Sequence, residues 1–364
     1  MVSCMRENFG NASSSDHAYG AKAAEVAEHA RSQVAQSIGA KDEEIIFTSG
    51  ATESDNLAIL GLRATPSESE QHCITTTIEH KAVLDSFRTL EQHGVRVTYL
   101  PVDQSGMVSK ESLEASMEAD TRLVSIMLAN NEIGTIQRMA ELSKVVHDGG
   151  ALLHIDAAQA VGHIPVDVEL LDADLLSFSA HKAYGPKGVG GLYVRRGRRR
   201  VAITPLVAGG GQERGLRSGT LNVPGIVGMG TAFMLASKEM PQEGRRLSAL
   251  RDTLQARLLS VGGVTVNGHP TSRLPHNLNV KVDGVDGKGL ISALTKSVAF
   301  SASSACSTQS VEPSHVLIAI GHSPQSAHMC VRFGLGRWTS QEEIDFSTDA
   351  ITKAILRLRR MRHS

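Results

Sequence analysis

Four cysteines in 364 residues are too few for a disulfide framework, and no CxxC pair marks a structural zinc site. Aromatic residues make up only 4% of the chain, with a single tryptophan, whereas glycine reaches 34 residues. Many glycines with few aromatics suit an α/β enzyme rich in tight strand-to-helix turns. Neither sign of charge dominates: 37 Lys+Arg stand against 38 Asp+Glu, a net charge of −1. That balance excludes a protein whose main task is neutralising nucleic-acid phosphates, and no direct nucleic-acid binding is expected. No apolar run approaches the ~20 residues of a membrane span. Met1 to Gly10 lacks the basic and apolar regions of a secretory signal. These absences lead us to expect a cytoplasmic protein of a reducing compartment with no membrane partner. Its length corresponds to roughly two to three average domains, or one large α/β domain with a smaller companion.

Ala23, Val26, Ala27, Ala30, Val34 and Ile38 recur at helical spacing, so residues 20–38 read as an amphipathic helix closed by Gly39. Short apolar strands then alternate with helices. Strands are expected at 44–48, 72–76, 96–100, 122–128, 151–155 and 174–178, and helices at 53–62, 81–93, 110–118 and 137–148. This alternation is the signature of a parallel sheet covered on both faces. After Val194 a basic run, Arg195 to Arg200, and the glycine triplet Gly209–Gly211 break the pattern. The basic run reads as a solvated hairpin or loop. A long helix at 224–259 follows, then an α+β segment with strands near 263–267, 276–282, 297–301 and 329–334 and a final helix at 340–361. The Arg-rich end of that helix reads as ordinary cations at a C-terminus.

Several residues have the chemistry of a site. In Ser179-Ala-His181-Lys182 an apolar strand delivers a lysine into a turn, at the carboxyl end of the strand where ligands bind in open α/β sheets. Held partly desolvated, its amine could form a Schiff base; a surface lysine in a loop is the plain alternative. Asp156 ends another apolar strand, where a carboxylate is costly without a positive partner. A pyridinium would be such a partner, and a helix N-cap is the alternative. Ser49-Gly50-Ala51-Thr52-Glu53 joins a strand to a helix and could admit a phosphate to the helix N-terminus, or could simply cap it. The small polar stretch 301–310 surrounds Cys306, lacks the bulk to pack a core, and reads as an exposed, mobile loop that makes Cys306 a candidate nucleophile. Cys73 and Cys330 lie in apolar strand text and read as inert core residues.

Taken together, Thr48–Asn56, Asn130-Asn131-Glu-Ile-Gly134, Ser179–Lys182, Arg217-Ser-Gly-Thr220 and Ser304-Ala-Cys306 resemble a cysteine desulfurase of the class V aminotransferase family, in its NifS/IscS branch. The likeness runs from Phe9-Gly-Asn11 to Arg332–Arg337. It implies PLP-dependent transferase fold type I: a large domain with a mixed, mostly parallel sheet and a smaller α+β C-terminal domain. The expected boundaries are 13–245 for the PLP-binding large domain and 1–12 with 246–364 for the small one. The resemblance implies that pyridoxal 5'-phosphate (PLP) is the cofactor and that L-cysteine is converted to L-alanine. The sulfur would be left as a persulfide on Cys306 for an acceptor protein in iron–sulfur assembly, tRNA thiolation or DNA phosphorothioation. Lys182, Cys306 and His80 would be catalytic. Asp156 would meet the pyridinium, Gln159 the phenolic oxygen, and His80 would stack on the ring. Ala51, Thr52, Ser179 and His181 would hold the phosphate, with Thr220 reaching it from the other subunit of a homodimer. Asn131 and Arg332 would contact the substrate carboxylate and cofactor, with Asn11 also on the substrate side. No intrinsic metal is implied, although Cys306 is a candidate transient ligand of an iron–sulfur unit.

Two departures stand out. Family members begin with a strand and turn reading roughly Leu-Asp-x-x-Ala-Thr-Thr-Pro, which lines the substrate side of the pocket, whereas Val2–Arg6 resembles the tail of the helix that follows it. The expectation is a site short of one bordering strand. The chain also stops at Arg360–Ser364, before the longer tail by which housekeeping members engage their scaffold protein. Competing readings are a selenocysteine lyase or another class V aminotransferase, and a truncated PLP-binding partner protein without activity.

Overall fold

The computed structural model describes residues 1–14, 16–62, 71–197, 201–302 and 312–363. They form two compact units. Met1–Leu100, Lys110–Leu128 and Arg138–Met240 make up the larger; Pro101–Ser109, Ala129–Gln137 and Pro241–Ser364 make up the smaller. This differs from the expected boundaries. Residues 1–12 belong with the larger unit, because Cys4 packs in one apolar cluster with Ala23 and Val223. Residues 129–137 belong with the smaller, where Thr135 bridges to Arg273. The division falls between Met240 and Pro241, inside one helix.

The larger unit contains α1 (Val2–Glu7), α2 (Ala18–Ser37), α3 (Ala51–Leu60), α4 (Lys81–Glu91), α5 (Lys110–Ser116), α6 (Met139–Asp148) and the first part of α7 (Val223–Ser260). Its strands are β1 (Ile45–Thr48), β2 (His72–Thr76), β3 (Arg96–Leu100), β4 (Thr121–Met127), β5 (Leu152–Asp156), β6 (Leu175–Ser179) and β7 (Gly190–Val194). They form one sheet in the order β1-β7-β6-β5-β4-β2-β3. The run from β6 to β3 is parallel, and β7 is inserted antiparallel between β1 and β6. The mixed, mostly parallel sheet is thus as expected. β7 is additional to the strands expected from the sequence. Every residue of β1, β2, β6 and β7 is buried, as both faces of a helix-covered sheet require.

The smaller unit holds β8 (Val264–Asn267), β9 (Asn277–Val282), β10 (Ser301–Ala302) and β11 (Cys330–Gly334) in an antiparallel sheet ordered β10-β11-β9-β8. It also contains α8 (Gly287–Leu294), α9 (His315–Ala319), α10 (Pro324–Ala327) and α11 (Gln341–His363). Leu250, Leu254 and Leu258 of α7 pack with Leu290, Ile351, Ile355 and the sheet residues Leu278, Val280 and Val331. The strand expected at 297–301 is reduced to the two residues of β10.

Two cations of the larger unit are buried rather than solvated. Arg195, the start of the expected solvated run, is only 5% exposed. Its guanidinium donates to the carbonyls of Ala173 and Val168 and pairs with Glu169 at 3.0 Å. It lies directly after β7, so the strand carries it into the sheet edge. The rest of that run, 198–200, lies outside the described residues. Arg31 of α2 makes a two-pronged contact with Glu213, at 2.8 and 3.0 Å, and also donates to the carbonyl of Ile45. The second carboxylate oxygen of Glu213 accepts the Phe47 N–H at 2.6 Å. Glu213 and Arg214 both adopt left-handed backbone, φ 48° and 58°, which non-glycine residues hold only when their surroundings fix it. The ion pair therefore anchors the turn that leads to Arg217 and Thr220.

Because removing one member of a buried pair strands the other charge, Arg31→Met is expected to destabilise the protein by about 3–5 kcal/mol. Lys22→Met, at the exposed Lys22–Glu25 pair, should change stability by less than ~1 kcal/mol. Urea midpoints at a fixed protein concentration check both.

Candidate active site

Sheet register assembles the first part of the site. Gly190 of β7 lies opposite Thr48 of β1 on one side and Ser179 of β6 on the other. A Cβ at Gly190 would stand 2.6 Å from the Phe178 carbonyl oxygen and 2.7 Å from the Gly50 Cα, so only glycine lets the two strand ends close together. Gly50 precedes α3 with φ 154°, and no side chain caps that helix. The N–H groups of Ala51 and Thr52 are therefore among the first-turn donors that a helix leaves for an outside acceptor. A Cβ on Gly50 would meet nothing nearer than the Ser179 Oγ, at 4.0 Å. Ser179 Oγ is in turn hydrogen-bonded to His181 Nδ1 at 2.7 Å. Burial, then the charges of Lys182 and Lys187, lower the His181 pKa and keep its ring neutral. Beside this cradle is a cavity of about 120 Å³ lined by Thr48, Ser49, Gly188, Arg217, Thr220 and Asn222. Arg217 pairs there with Glu53 at 2.9 Å, and Thr220 itself is exposed.

Asp156 closes β5 and is 5% exposed. Burial raises its pKa, against the Ala158 N–H, which donates to Oδ1 at 2.9 Å, and the positive fields of His80 and Lys182. A buried carboxyl in that state is suited to a further cation. Lys182 sits in a one-turn helix after β6 and is exposed, which matches the surface-lysine alternative and not the partly desolvated one. His80 caps α4: its Nδ1 accepts the Ala82 N–H at 3.1 Å, which leaves Nε2 clear of that contact. Gln159 is half-buried in the turn after β5. Space for a phosphate at an uncapped helix start, a buried carboxyl short of positive charge and an accessible amine together fit PLP.

The smaller unit holds an arrangement of its own. Arg332 of β11 donates from Nη1 to the backbone carbonyl of Asn131 at 2.8 Å, and Asn277 Nδ2 donates to the same oxygen at 3.3 Å. Asn130 shapes this turn, its Oδ1 accepting the N–H groups of Glu132 and Ile133. It is the Asn131 backbone that holds the Arg332 fork. Asn11, in the larger unit, is exposed and accepts the Ser13 N–H. Cys306 lies outside the described residues, as does all of 303–311. The described cysteines, Cys4, Cys73 and Cys330, are buried. Burial pushes the Cys73 thiol up to about 12 and Cys330 to about 11, consistent with inert core groups. No described helix is long and apolar enough to cross a membrane.

Several polar groups at the site are not apparent from the sequence. Glu79, fully buried next to His80, accepts from Thr76 Oγ1 at 2.6 Å and from the Met127 N–H at 2.9 Å. Asp55, Ser125, His154 and Ser177 are also buried, on elements that read as apolar strands or plain helix. The available signal is the two-residue spacing of His154 and Asp156, which puts both on one face of β5.

Gly190→Ala is expected to cost about 1–3 kcal/mol through overpacking and to weaken PLP binding, read by denaturation and by absorbance titration of the apoprotein. Burial pushes the Glu79 carboxyl from 4.5 up to about 8, so between those values the native state holds a proton that the unfolded chain has lost. Stability should fall as pH rises through this window, by at most about 1.4 kcal/mol per pH unit for one group. Glu79→Gln should flatten that slope in denaturation midpoints compared between pH 5 and 8.

The aminotransferase class-V family pattern matches residues 1–346. The cysteine desulfurase IscS of Pseudomonas aeruginosa (strain LESB58) is 49% identical over 98% of this chain and 88% of its own length. Among solved structures, a NifS-like protein superposes with a TM-score of 0.90 at 39% identity, covering 98% of this chain and 94% of that one. SspA in complex with cysteine gives 0.81 at 36% identity, covering 93% and 94%. The strand-end cradle, the buried Asp156 and the lysine turn are thus those of a protein that belongs to the class-V aminotransferase family, among its IscS/NifS-like cysteine desulfurases.

Proposed function

We propose that this chain is a PLP-dependent cysteine desulfurase that converts L-cysteine to L-alanine and leaves the sulfur as a persulfide on Cys306. The observation that carries the reading is Asp156: a buried carboxyl facing the fields of Lys182 and His80, on the same sheet edge as an uncapped helix start. Its similarity to IscS over 98% of the chain supports the substrate. Bound at this edge, PLP supplies an electron sink that acidifies the substrate α-hydrogen.

The residues then divide the work. Ala51 and Thr52 offer backbone donors to the phosphate, joined by Ser179 and His181, whose mutual hydrogen bond fixes both side chains. Asp156, as a carboxylate, would pair with the protonated ring nitrogen, and Gln159 would bond the phenolic oxygen. The Lys182 amine would hold the cofactor until the substrate amine displaces it, and the amine so freed would take the α-proton; His80 Nε2–H would be available to pass a proton on. Arg332, held by the Asn131 carbonyl, would give its remaining donors to the substrate carboxylate, and Asn11 would also contact the substrate. The Cys306 thiolate attacks the substrate sulfur: an S–S bond forms, the C–S bond breaks, and its electron pair is protonated to give alanine. In a homodimer Thr220 completes the partner's phosphate site. An acceptor protein then takes the sulfur for iron–sulfur assembly, tRNA thiolation or DNA phosphorothioation, with Cys306 a transient ligand in the first case. The reaction takes place in the cytoplasm.

The purified protein is expected to be yellow and to release alanine from cysteine. Cys306→Ala should keep the cofactor absorbance yet lose alanine release by on the order of 10³-fold, whereas Lys182→Ala should lose both the covalent cofactor signal and the activity. A colourless protein, or a yellow one that makes no alanine, overturns the proposal. Preference for selenocysteine over cysteine would assign the lyase reading instead.

A further inference from the structure

Asp55 has no role in the chemistry just described, and its surroundings are unusual. It lies on α3, four residues after Ala51, and is 1% exposed. Neither of its carboxylate oxygens is within normal hydrogen-bond length of a protein donor. α3 packs on β5, β6 and β7, over a row of polar side chains on one sheet face. Ser125 stands opposite His154, and Ser177 opposite Asp156. His154 hydrogen-bonds with both serines, Nδ1 to Ser125 Oγ at 2.8 Å and Nε2 to Ser177 Oγ at 2.9 Å. The group nearest to a counter-charge for Asp55 is His154 Nε2, at 3.7 Å. That ring is fully buried with a hydroxyl on each nitrogen, and burial takes its pKa down to about 3, so it stays neutral. The other ionisable groups that act on Asp55 are Asp156 and Glu79, both acidic.

We propose that Asp55 is a positioning residue that keeps its proton in the folded protein, so that of the two aspartates above this polar row only Asp156 carries the negative charge that the cofactor nitrogen requires. The inference rests on the PLP-dependent reading of the site. A carboxylate here would have no hydrogen bond of normal length and no cation, only the weaker pull of the Ser177 hydroxyl, a burial cost far larger than that of the neutral acid. Two charged carboxylates in one low-dielectric region also repel, and the one without a partner takes the proton. Desolvation first, then the charges of Asp156 and Glu79, push Asp55 well above the usual carboxylate range, outweighing the Ser177 hydroxyl. Asp156 has what Asp55 lacks: the Ala158 N–H and the fields of His80 and Lys182. The neutral acid also lets α3, whose first turn offers the phosphate donors, seat on the strand that carries Asp156 without a second buried charge.

Infrared spectroscopy at neutral pH tests this, on wild-type holoenzyme prepared with and without carbon-13 in the aspartate carboxyls. The expected result is a protonated-acid carbonyl band that moves on labelling and is lost in Asp55→Asn. Asp55→Asn should also keep bound PLP, with the midpoint of the cofactor's absorbance–pH transition within half a unit, about threefold in proton affinity, of wild type. A wild-type protein without a labelled-aspartate acid band overturns the proposal, and so does an Asp55→Asn protein that keeps the band. A midpoint lowered by half a unit or more also overturns it, because that is the effect of deleting a charge and not a neutral group. If Asp55→Asn does not fold, the labelled wild-type band decides. The band is read without turnover; in apoprotein, where Asp156 lacks the cofactor's cation, the readout is the part of the band that Asp55→Asn removes. A chain that makes no alanine or binds no PLP therefore counts against the proposed function and leaves this test intact.

Discussion

A carboxyl at the end of a strand buried on both faces has to be matched by positive charge or keep its proton, and Asp156 is the point where the larger unit meets that constraint. Its pKa is raised by burial and held back by the Ala158 N–H, His80 and Lys182. Those three come from the turn after its own strand, from the start of α4 and from the turn after β6. The surroundings of one charge thus account for why three loops converge on one edge of the sheet. Around it the protein places further buried acids, Glu79 and Asp55, in settings that favour the protonated form. The outcome is a core in which acidic groups are numerous but negative charge is confined.

Register does the rest of the positioning. In parallel strands all carboxyl ends reach the same edge, which is where open α/β sheets bind ligands. Here β7 adds an antiparallel strand whose first residue, Gly190, sits between Thr48 and Ser179. With no side chain at that point, the start of α3 comes close to Ser179: a Cβ on Gly50 would stand 4.0 Å from its Oγ. The Arg31–Glu213 pair works at longer range, holding two left-handed residues in a turn that leads toward Thr220. The smaller unit makes its own arrangement, a backbone carbonyl of the Asn131 turn against the Arg332 guanidinium.

The sequence by itself determined the local elements and the residue types of the site. Periodicity marks α2 within two residues at its start and one at its end, and apolar runs mark β1 to β6 nearly to the residue, because side-chain spacing reports directly on which face is buried. Lys182, Asp156 and Gly50 are legible for the same reason: each sits where a strand stops and a turn begins. What only the tertiary structure decided involves residues far apart in the chain. Ser125 and His154 are 29 positions apart, His154 and Ser177 23, and Arg31 and Glu213 182. No spacing rule links such pairs, so Arg195 reads as solvated in the sequence and only strand order places it in the interior. The local pattern says which side chains can be buried; only the packing of one element on another decides whether a buried charge finds a partner or keeps its proton.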